Sequence, residues 1–281
     1  MSTASEVAIR FDQVSKAFGP KQILEQVSFE IARGEIVFVL GKSGMGKSVT
    51  LKHIIGVMKP DAGRVFVEDK DLSALDARGL SGVRRRCGMV FQQPALLDSL
   101  TVMENVAFGL RSPEFRAARA ADGRPELSER EIRDRVVEVL ELVKLDASIL
   151  GLTPPQISYG MQKRVSLART LAPGPSHLLF DEPTTGLDPI TTQAVNRLIR
   201  ELSRKLKVTS VVVSHDMACA LQIADRVLVL DQAKILAWGT IPEIRQSREP
   251  LIVDFLSEAL ESEAQLAREP VGGTAGPEVR A

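Results

Sequence analysis

Short runs of apolar, β-branched residues alternate along the chain with stretches in which apolar positions recur every three or four residues. That is the pattern of strands interleaved with helices. Residues 7–11 and 27–31 predict early strands, and residues 36–40 (Ile-Val-Phe-Val-Leu) are apolar at every position, as in a strand covered on both faces. A glycine-rich turn follows, and then the spacing predicts a helix from about Lys47. Residues 64–68 and 88–91 predict further strands.

The middle of the chain changes period. Residues 94–152 read mainly as helix, with Ser128 and Glu131 spaced as a capping box ahead of a helix ending near Leu145. Residues 112–127, rich in Ala, Arg, Pro and Gly, predict an exposed loop or a short extra helix. Strand periodicity returns at 177–180 and 210–213, with a helix at 165–171 and another opened by Asp188-Pro189, an N-cap followed by proline at the first helical position. Residues 226–230 and 234–238 predict a closing hairpin, and 241–268 one or two terminal helices. The division expected is an α/β core over 1–93 and 154–244, a helical lobe inserted at 94–153, a helical tail over 245–268, and a disordered Gly- and Pro-rich end at 269–281. No internal repeat interrupts this order.

Composition narrows the class. The chain has 281 residues, 44% of them hydrophobic and 26% charged, enough for one sizeable core. Lys plus Arg and Asp plus Glu both number 36, which argues against a general nucleic-acid binder. No apolar run approaches the roughly 20 residues of a membrane span, and the first six residues lack the features of a signal peptide. Cys87 and Cys219 stand far apart without metal-ligand spacing. The expectation is a reduced, cytosolic protein.

Two stretches carry chemistry. Gly41-Lys42-Ser43-Gly44-Met45-Gly46-Lys47-Ser48 fits G-x-x-x-x-G-K-[ST] between a predicted strand and a predicted helix. Glycines let the backbone wrap a polyphosphate with N–H groups inward, and the helix start adds its positive dipole end. Lys47 supplies a charge between the β- and γ-phosphates, and Ser48 an oxygen for Mg²⁺. The second stretch, residues 177–182, is an apolar strand ending in Asp181 and Glu182. In a parallel sheet such tips face the ligand. Asp181 then lies near the metal, while Glu182 has the reach to orient or deprotonate water. Taken alone, Asp-Glu before Pro183 would read as a solvated turn. Residues 211–216 repeat the arrangement, placing His215 at a third tip, whereas His53 and His177 read as structural.

Taken together the motifs resemble the ABC ATPase family over about residues 7–244, with a P-loop NTPase core, an early antiparallel β region and the inserted helical lobe. Ile157-Ser158-Tyr159-Gly160-Met161 stands where the family has its Leu-Ser-Gly-Gly-Gln signature, Gln92 matches the Q-loop, Gly186-Leu187-Asp188-Pro189 the D-loop and His215 the switch histidine. Phe18 falls where an aromatic ring stacks on adenine. The resemblance implies ATP contacts from Phe18, Gly41, Lys42, Ser43, Gly44, Met45, Gly46, Lys47, Ser48, Val49, Gln92, Ser158, Gly160 and Asp188. It places Mg²⁺ with Ser48, Gln92 and Asp181, and gives catalytic roles to Lys47, Glu182 and His215. It also implies a homodimer with two ATP molecules sandwiched head to tail, Ser158 and Gly160 serving the opposite subunit, beneath a membrane permease at the cytoplasmic face of the inner membrane. Tyr159 departs from the pattern: a left-handed backbone there would cost about 1–3 kcal/mol, and its bulk predicts slowed hydrolysis.

Residues 41–63 and 95–108, and the methionine at 161, resemble one branch, the ATPases of Mla/Mce-type transporters. That likeness implies phospholipid or other hydrophobic cargo and a substrate-binding partner with a Mce domain. It also raises a tail around residues 251–256 that reaches the neighbouring ATPase or packs on its own domain. The alternatives are an ABC ATPase serving another cargo, a non-transport ABC ATPase acting on nucleic acid or the ribosome, and a degenerate ATPase that only binds nucleotide. The single P-loop and the lone cysteines speak against the second of these.

Overall fold

The computed structural model describes residues 6–268, with side chains described to Glu261. The end expected to be disordered, 269–281, lies outside the described residues. Strands β1 (Val7–Phe18) and β2 (Lys21–Ala32) form a long hairpin. Strand β3 (Ile36–Leu40) runs into the glycine-rich loop and helix α1 (Lys47–Ile54). Then come β4 (Ala62–Val67), β5 (Lys70–Asp71), α2 (Ala77–Arg86) and β6 (Cys87–Val90). Helices α3 (Val102–Ala107), α4 (Pro113–Ala121) and α5 (Glu129–Leu142) occupy the middle. The remainder is α6 (Tyr159–Leu171), β7 (His177–Asp181), α7 (Pro189–Leu206), β8 (Thr209–Ser214), α8 (Met217–Ile223), β9 (Arg226–Asp231), β10 (Lys234–Thr240), α9 (Ile241–Arg245) and α10 (Pro250–Arg268).

Two sheets result. One is antiparallel, in the order β2-β1-β4-β5; the other runs β10-β9-β3-β8-β7-β6, parallel except for β10. The larger sheet is covered on both faces, which explains its continuous apolar strands. Ile36, Phe38 and Leu40 enter the core shared with the helices, while Val37 and Val39 enter the core shared with α1 and the antiparallel sheet. Leu178 and Phe180 alternate with Leu179, and Val212 with Val211 and Val213, in the same way.

Side-chain caps fix the helix starts. The Ser128–Glu131 capping box is formed, Ser112 caps α4 within the stretch left open between loop and helix, and Asp188 caps α7. Helix α6 begins six residues before the apolar-periodic segment at 165–171, because Ser158 accepts from Met161 N at 3.3 Å and starts it early. It packs on α3 and α5 as well as beside β6. Arg84-Arg85-Arg86 forms the last turn of α2. Arg84 donates to the carbonyls of Ile55 and Gly56, and Arg86 pairs with Glu68. The tail packs on its own domain: α10 lies against α8 and buries Ile252 and Ala259. Among the described residues no helix is long and apolar enough to cross a membrane.

Candidate active site

The strand order brings the tips of β3, β7 and β8 side by side. A cleft of about 780 Å³ opens there, lined by the glycine-rich loop, the start of α1, Gln92, Asp181, Glu182, Thr185, His215 and two hairpin residues, Lys21 and Ile23. The loop needs its glycines where the chain passes closest to neighbours. At Gly46, φ is 92° and a Cβ would lie 2.9 Å from Ile23 O; at Gly41 a Cβ would collide with Leu230 O.

Lys47 is the best-held cation of the cleft. Its side chain is 8% exposed, and Nζ donates to Gly41 O at 2.8 Å and Lys42 O at 3.2 Å, with Glu182 Oε1 3.6 Å away. Ser48 Oγ donates to Asp181 Oδ1 at 2.8 Å, tying the start of α1 to the tip of β7. Glu182 sits in the left-handed region at φ 51°, with its N–H on Val213 O at 2.9 Å. Its Oε2 accepts from Thr185 Oγ1 and from His215 Nδ1, both at 2.9 Å. A carboxylate can only accept, so the His215 proton is on Nδ1 in this contact. His215 is otherwise largely exposed, its ring open to the cleft.

Other expected residues lie apart from this cleft. Phe18 stands at the tip of the β1–β2 hairpin, 47% exposed, with Lys16 Nζ 5.7 Å from its ring. Met45 and Gly41 shape the loop without lining the cavity. Ser158 and Gly160 start α6, and Asp188 starts α7, each away from the cleft of its own chain. Thr191 bonds hold the Asp188 carboxyl below the usual range. Tyr159 is the first residue of α6 and is not among the left-handed residues, so the backbone strain weighed for it does not arise. Sequence reasoning missed Lys21, Ile23 and Thr185. Thr185 had a signal, a hydroxyl three residues after a carboxylate. Lys21 and Ile23 had none, because only the folding of the hairpin over the loop brings them there.

His53 and His177 are structural. His53 Nδ1 donates to Val49 O at 2.8 Å, and burial holds its pKa down. His177 is buried at the opposite end of β7, where desolvation, then Arg33 and Arg86, depress its pKa to about 4. Glu68 Oε1 lies 3.3 Å from its Nε2, but it also faces Arg33 while Oε2 pairs with Arg86, so the carboxylate does not restore the charge.

A glycine-rich loop leading into a helix, a lysine folded into that loop, and carboxylates at the next strand tips define a P-loop ATPase. The ABC transporter family matches residues 24–185, and the chain belongs to it. It is an ATP-binding ABC ATPase whose hydrolysis is coupled to transport. It is 39% identical over 274 residues to the methionine import ATP-binding protein MetN of Caulobacter vibrioides, covering 96% of this chain and 76% of that protein. It is 40% identical over 264 residues to methionine import ATP-binding protein MetN 2 of Rhodococcus jostii, covering 92% and 74%. Among solved structures it is similar to the dimeric cassette MJ0796 in a post-hydrolysis state with ADP and Pi. That likeness has a TM-score of 0.71 and 32% identity, over 83% of this chain and 98% of the other.

Proposed function

We propose that the chain works as a homodimer that hydrolyses two ATP molecules to drive a membrane permease, and that the cleft above is the hydrolytic site. The observation that carries this reading is the meeting of Lys47, Asp181, Glu182 and His215 at three adjacent strand tips. Lys47 and the loop N–H groups bind the β- and γ-phosphates. Glu182 orients the attacking water and accepts its proton, and His215 and Thr185 hold the Glu182 carboxylate in place. Ser158 and Gly160 serve the partner's nucleotide, as does Asp188 at the start of α7. That fits their position outside their own cleft and the dimeric state of the similar cassette. Phe18 takes the adenine face.

Mg²⁺ fits the residues present. Ser48, Asp181 and Gln92 offer only hard oxygen donors around one cleft, and Ser48 and Asp181 already meet at hydrogen-bond distance. Among the described residues no cluster of three or more His, Cys, Asp or Glu offers a metal cage, consistent with a cation held jointly by protein, phosphate and water. When bound it would neutralise charge on the phosphates.

The permease faces the Q-loop side. Phe91, Leu97 and Phe108 are exposed there, beside a cleft of about 580 Å³ between the end of α2 and α4. This contact holds the chain at the cytoplasmic face of the membrane.

The cargo follows the relatives' names, an amino acid of the methionine kind, and a substrate-binding protein is the partner expected beside the permease. The phospholipid cargo and Mce-domain partner expected from residues 41–63 and 95–108 gain no support from these names. They remain a second reading, favoured by those stretches and by Met161 alone.

Two experiments test these statements. Glu182→Gln traps a dimer with Mg-ATP, seen by light scattering; a monomer with and without the permease sinks the site assignment. Affinity purification from native membranes identifies the permease and its partners. Recovery of a soluble amino-acid-binding protein supports the first cargo reading, and a Mce-domain protein with phospholipid replaces it with the second.

A further inference from the structure

Helix α6 carries a cation that the chemistry above leaves unused. Lys163 lies one turn beyond Tyr159, half-buried, with Nζ donating to Pro183 O at 2.9 Å and standing 5.4 Å from the centroid of the Tyr159 ring. Its partners among the described residues are a carbonyl and a ring face, with no carboxylate. Burial accordingly lowers its pKa from the usual lysine range.

Pro183 directly follows Glu182. The turn from 182 to 187 closes two of its own carbonyls: Thr185 N donates to Glu182 O at 3.3 Å and Leu187 N to Thr184 O at 3.2 Å. The carbonyl between them, Pro183 O, is taken by Lys163 from a different element. Proline has no N–H, so Pro183 can be held through its own backbone only at this carbonyl. Glu182 occupies the left-handed region at φ 51°, a conformation that persists only where the neighbouring backbone is fixed. Beside the bonds from Val213, Thr185 and His215, α6 thus supplies one more hold on the backbone that carries the Glu182 carboxylate.

The geometry points to Lys163 as a positioning residue for hydrolysis: from α6 it fixes the Glu182–Pro183 backbone and so aims the Glu182 carboxylate at the attacking water. This rests on Glu182 being the group that orients that water. The arrangement also ties the helix that begins at Ser158 to the base of the same subunit.

The test is chemical rescue in the full chain. Lys163→Cys removes the ammonium. Cys87 and Cys219 are replaced by serine in the background, so that the introduced thiol is the one alkylated. Lys163→Cys is expected to lower kcat about tenfold to a hundredfold, the cost of a misplaced reacting group, with ATP affinity within about twofold of wild type. Aminoethylation with 2-bromoethylamine restores an ammonium at nearly the same reach and is expected to return most of kcat, and Lys163→Arg to keep most of it. The proposal is overturned by a Lys163→Cys enzyme with wild-type kcat. It is equally overturned by kcat and ATP affinity falling together, which marks a structural role, or by failure of aminoethylation to raise kcat. Glu182→Gln serves as the reference: if it hydrolyses ATP like wild type, the assignment of Glu182 fails on its own account, separately from any effect at Lys163.

Discussion

The two ends of the large sheet use the same kinds of charge to opposite effect. At the amino-terminal ends of β6 and β7, Glu68 answers Arg33 and Arg86 and lies against His177, with Ser176 Oγ at 3.4 Å. The charges there satisfy one another and the imidazole is shut away from water. At the carboxyl-terminal tips Lys47 rests on two carbonyls, and its nearest carboxylate, at 3.6 Å, is also held by Thr185 and His215. Backbone dipoles hold that lysine in place without neutralising it. The first end joins the antiparallel sheet to the parallel one, and the second is built to receive a polyanion.

If this contrast is right, substitutions at the tips cost turnover and those at the far end cost stability. The largest effect expected is at Glu182: Glu182→Gln lowers kcat about a hundredfold or more with no loss of melting temperature. A parallel loss of thermal stability would erase the distinction. Next is the pH response of His177. Unfolded, it takes a proton near 6.5; folded, only near 4. Stability is therefore complete above pH 6.5 and drains as the pH falls towards 4, by roughly 3 kcal/mol at the limit. Urea unfolding across that window should slope less in His177→Gln than in wild type; equal slopes would remove His177 as the source. Glu68→Leu leaves Arg33 and Arg86 without their carboxylate and should destabilise by about 2 kcal/mol while kcat per folded molecule holds. Smallest is Ser128→Ala, which removes one cap of α5 and should cost about 1 kcal/mol, well away from either end.

Legibility in the sequence followed the range of the forces involved. The apolar run at 36–40 became β3 with no change of bounds, because burial on both faces leaves no polar position to blur the pattern. Asp188 and the Ser128–Glu131 pair were readable because a cap is decided within four residues. The loop from Gly41 to Ser48 was legible for the same local reason. Less legible were features made by distant segments meeting. The hairpin strands run on to Phe18 and begin as early as Lys21, well outside the five-residue stretches that announced them, since the pairing of β1 with β2 and β4 sustains them through mixed polarity. Lys21 and Ile23 reach the cleft only through that hairpin. The roles of Arg84 and Arg86 were not visible locally, because their partners, Ile55, Gly56 and Glu68, lie far away in sequence.

The hold of Gly41 and Lys42 on the Lys47 ammonium has a kinetic consequence. A loop that keeps its shape through its own lysine has no disorder to overcome when a nucleotide arrives and none to regain when one departs. Exchange is then expected to be limited by breaking contacts with the departing molecule rather than by reshaping the loop.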